Sequence, residues 1–211
     1  MMDSASMLQL RDRLRILEEL GDKVLNAFGW AVVAARRDLA EYRAWHPDWV
    51  AQSSSRGLAN WIHDRLWHHV ARLLIDIPEV EVYEKGATRE LIIGGRYRVR
   101  VKRHGIGASV STYPTQGALE FMHQPNEQLV LAGLEQVRLI FGYEWLGGSD
   151  EVGAAVLSLR DGSKKVLWVH GLPDDEQDAA ASLPSWEAPA PGVMRQPQIG
   201  ERDDRRRSTR P

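Results

Sequence analysis

The residues with the greatest capacity for chemistry fall in two places, a strand-like run at 96–102 and a helix-like run at 56–76. The first reads Arg96-Tyr97-Arg98-Val99-Arg100-Val101-Lys102, and a period of two puts Arg96, Arg98, Arg100 and Lys102 on one face of a strand. Same-side residues on a strand lie about 6.6–6.8 Å apart, a spacing that phosphates of an extended nucleic acid could meet. A carboxylate-rich protein surface could meet it as well. The alternation is also that of an ordinary half-exposed strand, with Tyr97, Val99 and Val101 turned inward.

The helical run holds His63, His68 and His69 beside Asp64, Arg65 and Arg72. His63 and Asp64 could act as an acid–base pair with Lys102 and its neighbouring cations, the set a metal-free ribonuclease would use. Adjacent helical residues diverge by about 100°, so a cap or surface ion pair is the simpler role. No metal site is expected. Helical ligands sit three or four residues apart, whereas His63 and His68 are five apart, and His69 falls on the apolar stripe as a satisfied core histidine.

No cofactor is expected either. The chain has no phosphate-loop motif, Gly105-Ile106-Gly107 is too short for a dinucleotide fingerprint, and no nucleophile elbow surrounds Ser158 or Ser163. Trp45, Trp49 and Trp186 stand in less regular surroundings than the other tryptophans and are candidates for a partner-binding surface.

The elements that must position these residues are legible in outline. Leu10, Leu14, Leu17, Val24, Leu25 and Phe28 recur at helical spacing in a stretch from Ser4 to about Trp45, with Gly21 and Gly29 as points where it could kink or divide. Leu58, Ile62, Leu66, Val70, Leu73 and Ile77 make the stripe of a second helix that Pro78 stops. Short runs follow at 80–83, 90–93, 96–103, 136–146, 152–159 and 165–170, with turn signals at Gly94-Gly95 and Asp161-Gly162. A two-residue turn at Gly94-Gly95 would set Arg96 opposite Ile93 and Arg98 opposite Leu91, mixing apolar groups into the basic face. A short helix is expected between Thr115 and Gln124.

The expected fold is α+β: N-terminal helices over 4–77 packed on a mainly antiparallel sheet over 80–170, as a single domain at 1–172. The segment 173–211 holds six of the ten prolines and reads as a disordered tail. Removing that segment leaves 21 cations and 21 anions in the domain, so no global field draws it to nucleic acid. The chain has no cysteine, which excludes disulfides and thiolate chemistry and is compatible with a cytoplasmic location. The start is too charged for a secretory signal, and the apolar run at 27–35 is too short for stable membrane insertion, though it could disturb a membrane surface.

Three stretches together carry a family resemblance: Ser53-Ser54-Ser55-Arg56-Gly57-Leu58-Ala59-Asn60-Trp61-Ile62-His63-Asp64, the run Arg98-Val99-Arg100-Val101-Lys102, and Thr115 to Gln124 followed by Phe141-Gly142-Tyr143. Their order resembles small bacterial proteins encoded beside a helix-turn-helix protein fused to an ImmA/IrrE-type metallopeptidase domain. Such pairs look like toxin–antitoxin modules, some of them antiphage systems of the RosmerTA type, in which the small protein would be the toxin. The resemblance implies an antitoxin partner of that kind and carries over His63, Asp64, Arg98, Arg100, Lys102, Thr115, Gln124 and Tyr143. The long helical start and the proline-rich end depart from the family pattern. If the chain is an enzyme, the expected target is nucleic acid or a nucleotide, with the basic strand on phosphate and His63 as acid or base. The alternative is a non-catalytic antitoxin or regulatory module whose basic strand docks an acidic partner.

Overall fold

The structure, a computed structural model, describes residues 4–86, 88–110, 115–123, 136–147, 150–162 and 165–174, with side chains from Arg13 onward. The tail expected over 173–211, with Trp186, lies outside these residues except for Pro173 and Asp174, as does Gln124.

Helix α1 runs from Ser4 to Trp45 and bends at Gly21, whose φ of 76° and ψ of 158° interrupt the helical backbone. Only glycine takes such a φ without strain, so of the two glycines marked as weak points this one makes the bend. Gly29 stays helical and serves a close approach instead: a Cβ there would lie 1.7 Å from the Pro173 carbonyl oxygen. A short helix α2, Pro47–Gln52, begins on a proline, which suits a first turn. Helix α3 spans Ser55–Leu74, and the Ser54 hydroxyl caps it by accepting from the Gly57 N–H at 3.0 Å.

Six strands follow: β1 Val80–Lys85, β2 Thr88–Ile93, β3 Tyr97–His104, β4 Val137–Leu146, β5 Glu151–Arg160 and β6 Val166–Gly171. They form one sheet in sequence order, antiparallel throughout except for β3 and β4, which run parallel. A parallel pair needs a crossover, and the short helix α4, Gln116–Met122, lies in that connection.

Helix α1 packs on α3 and on β4, β5 and β6, while α3 covers β1 and β3. The main core fills this interface; Phe28 stacks on Phe141 with ring centroids 4.3 Å apart. The apolar run of α1 is consumed here, since Phe28, Ala31, Val32, Ala34 and Ala35 are fully buried. Among the described residues no helix is long and apolar enough to cross a membrane. On the other side of the sheet a small second cluster joins Val110, Phe121, Met122 and Ile140 beneath α4.

The β2–β3 hairpin corrects the expected register. Ile93 pairs with Tyr97, Ile92 with Arg98 and Leu91 with Val99. The loop therefore holds Gly94, Gly95 and Arg96, and both glycines take positive φ. A shift of one residue turns every side chain of a strand to the other face. Here it brings Leu91 and Ile93 opposite Val99 and Tyr97, all buried, and leaves half-buried Ile92 opposite Arg98 on the outer face.

Candidate functional site

Strand β3 alternates as expected, with Tyr97, Val99 and Val101 buried under the helices and Arg98, Arg100 and Lys102 half-buried on the outer face. Arg96 does not belong to this row. It lies in the turn, where its Nη1 meets Glu19 Oε2 of α1 at 2.8 Å on the rim of a cleft of ≈ 600 Å³ beside Gly21.

The corrected register, carried one residue further, sets Glu90 across from Arg100. Glu90 is completely buried, and its two oxygens are shared by two guanidiniums. Oε1 accepts from Arg100 Nε at 2.8 Å and from Arg100 Nη2, while Oε2 accepts from Arg98 Nη2. Arg100 is fixed further by the Gly117 carbonyl of α4 at 3.3 Å and by the Phe121 ring, whose centroid is 4.1 Å from its guanidinium carbon. Arg98 and Arg100 thus form an ordered ion-pair cluster rather than a set of freely solvated cations. Glu90 was not singled out from the sequence; its signal was a lone carboxylate between Arg89 and Leu91, meaningful only once the register is known.

A second arginine was missed in the same way. Arg138 of β4 stands in register beside Arg98 on the parallel pair. It donates to the carbonyls of Glu120 and His123 at the end of α4, the latter at 3.0 Å. Burial lowers its pKa, and the neighbouring charge of Arg98 lowers it further.

His63 and Asp64 of α3, the helix that packs on the side of the sheet opposite Arg98 and Arg100, come within 3.8 Å of each other, Nδ1 to Oδ1. Asp64 also accepts from Arg89 of β2, which leans on Glu84 at 3.6 Å, and these residues line a shallow cleft of ≈ 360 Å³ with Trp67, His68 and Arg72. Burial pushes the His63 pKa down, and Lys102 is the next cause, so the two are within electrostatic reach without being bonded. Lys102 has no ion-pair partner among the described residues; burial and then Arg100 lower its own pKa. An imidazole held neutral in this way can accept a proton at neutral pH.

The other expected residues separate from this group. The Thr115 hydroxyl caps α4 by accepting from the Ala118 N–H at 3.2 Å. Tyr143 is 1% exposed and points to the helix-covered side of β4, opposite to Arg98 and Arg100, so it does not join a surface site with them. Burial raises its pKa. His69 is satisfied, as its place on the stripe implied, but half-buried rather than in the core: its Nε2 is 2.7 Å from Asp38 Oδ2. Burial pushes the Asp38 pKa up, but the bonds from His69 and Arg65 outweigh this and hold it below the usual carboxylate range. On the outer face His104 Nε2 lies 2.9 Å from Ser158 Oγ, both buried. Burial, then the Arg160 charge, brings the His104 pKa down to about 4.

At the far end of α1, Trp45 and Trp49 form an exposed aromatic corner, with 83% and 60% of their surface open. The His46 ring between them in sequence stacks on Trp49 at 4.0 Å and meets Trp45 edge-on at 6.4 Å. Two of the three tryptophans named for a partner surface, Trp45 and Trp49, therefore lie close together on the outside of the molecule. No protein-family model, curated protein or solved structure matches this chain.

Proposed function

We propose that this chain works by docking another protein, as the toxin component of a bacterial toxin–antitoxin module of the antiphage kind, held in check by a helix-turn-helix/ImmA-IrrE-type partner. The observation that supports docking is the exposed pair Trp45 and Trp49. Large aromatic side chains left open together on a surface are the common anchors of protein interfaces. The module assignment rests on the resemblance of the 53–64, 98–102 and 115–143 stretches. Arg98 and Arg100 add little to an extended nucleic-acid groove, because Glu90 already engages both.

Expression of the chain alone should arrest growth, and co-expression of the partner should restore it. The double substitution Trp45→Ala with Trp49→Ala should keep the arrest and lose the rescue. Normal growth at verified soluble expression of the wild-type chain would sink the toxin reading. Unchanged partner affinity in the double variant would sink the docking corner.

A second reading is favoured by one observation, the contact of His63 Nδ1 with Asp64 Oδ1 at 3.8 Å, where burial holds the imidazole pKa low. In it the toxic act is general acid–base chemistry on a nucleic acid or nucleotide. His63→Ala would then abolish toxicity while leaving folding and partner binding intact; toxicity at the wild-type level would dismiss it.

A further inference from the structure

Aromatic rings touch one another in a chain that ends at the exposed corner. Trp61 stacks on Tyr42 with centroids 4.8 Å apart, Tyr42 meets His46 edge-on at 6.2 Å, and His46 stacks on Trp49 at an interplanar angle of 8°. Trp45 stands at 85° to His46, so Trp45 and the His46–Trp49 stack present faces nearly at a right angle. The described chain stops on the same helix. Pro173 lies against Gly29 of α1, and the Asp174 carboxylate accepts from Arg36 Nη2 at 2.8 Å and from the Ala155 N–H at 3.2 Å. Gly29, Arg36 and Ala40 fall on one line along the helix, and the small, exposed Ala40 and Ala44 continue it to the corner. Nine helical residues separate Arg36 from Trp45, about 14 Å at 1.5 Å per residue.

We propose that the chain's own proline-rich stretch at 184–191 docks on the Trp45–Trp49 corner and masks it until a partner displaces it. That stretch carries Pro184, Trp186, Pro189 and Pro191. Proline fixes φ in advance, so such a segment loses little freedom on binding, and grooves lined by aromatic rings are its usual receptors. The distance fits. Ten residue steps lead from Asp174 to Pro184, and a linker of that length has an r.m.s. span of roughly 16–19 Å with flexible-chain statistics. A tether whose span matches the gap holds its end at an effective concentration on the order of mM, so weak contacts suffice. Charge runs the same way, since Asp175, Glu176 and Asp178 follow the Arg36–Asp174 pair and the exposed Arg37 stands next to it on α1. A partner that needs the corner binds only the fraction of molecules in which the tail has left it, so the tail sets the apparent affinity. The masking uses the corner of the docking reading but needs no partner, and it stands or falls separately.

The test is paramagnetic broadening in the full chain. The chain has no cysteine, so Gly192→Cys supplies a single thiol for a nitroxide at the edge of the proline-rich stretch. The indole N–H signals of Trp45 and Trp49, assigned with Trp45→Phe and Trp49→Phe, should lose most of their intensity relative to the reduced label. The signal of Trp67, bonded to Glu84 of β1 on the far side of the helices, should keep its own. Replacing Pro184, Trp186, Pro189 and Pro191 together by serine should restore the two lost signals. Full intensity of Trp45 and Trp49 beside the active label overturns the proposal. Broadening that survives the serine replacement reports nearness without docking and overturns it as well. So does broadening of an isotope-enriched, unlabelled chain by an equal amount of nitroxide-bearing chain, which would make a second copy the occupant. None of these outcomes touches the rescue experiment with the partner, where the docking reading is decided.

Discussion

Removal of the Glu90 carboxylate is the sharpest structural perturbation available in this protein. Glu90→Ala takes away both oxygens that Arg98 and Arg100 share, from a side chain only 1% exposed. Breaking a buried charge pair costs about 3–5 kcal/mol when the remaining charge stays buried. Arg98 and Arg100 keep 30% and 19% of their side-chain surface open, so water relieves part of that loss. A discount to about 2–3 kcal/mol is appropriate for such half-screened partners. In a domain of this size each kcal/mol moves the melting temperature by about 2–4 °C, so a fall of about 4–12 °C is expected. Urea denaturation with coincident fluorescence and circular dichroism would measure it. Replacing Glu90, Arg98 and Arg100 together by methionine should recover much of the loss, since an apolar trio needs no counter-ion. A Glu90→Ala variant within about 0.5 kcal/mol of wild type, the scatter of neutral surface changes, would refute the view that Glu90 braces the row.

Acid should destabilise the fold through His104. Its folded pKa of about 4 lies below the ordinary 6.5, so the unfolded chain takes up the proton first as pH falls. Its contribution is complete above pH 6.5 and is lost as pH drops to 4, by up to about 3 kcal/mol. His104→Gln should flatten the stability profile over that window, and an unchanged slope would assign the acid loss elsewhere. Gly29→Ala should displace the chain at Pro173, where the new methyl would meet a carbonyl oxygen at 1.7 Å. A loss of about 1–3 kcal/mol and earlier proteolysis near Asp174 are the expected readouts of such overpacking. Ser54→Ala removes the α3 cap and should cost about 1 kcal/mol in chemical denaturation, without moving the pH profile.

Much of the architecture was legible because it is written in local periods. The stripe from Leu58 to Val70 repeats with the helical turn, and Leu139, Phe141 and Tyr143 repeat with the pleat, so each segment names its own element and its buried face. A weak point at Gly21 or Gly29, of which the structure uses Gly21, the turns at Gly94-Gly95 and Asp161-Gly162, and the short helix after Thr115 were legible for the same reason, since each needs a residue type that stands in the sequence at that point. The length of the β2–β3 loop was not. Gly94 and Gly95 serve a two-residue or a three-residue connection equally well, and the choice fell to burial of Leu91 and Ile93 against Val99 and Tyr97.

By itself, then, the sequence determined that Arg98, Arg100 and Lys102 would share one face of a strand, because alternation is a property of the strand alone. Only the tertiary structure decided what that face is. One residue of register put Glu90 across from Arg100 and moved Arg96 into the turn, and the parallel pairing of β3 with β4 brought Arg138 beside Arg98. Counter-ions and like-charge neighbours come from other strands. Their placement follows from how the whole sheet buries its apolar side, which no local period records.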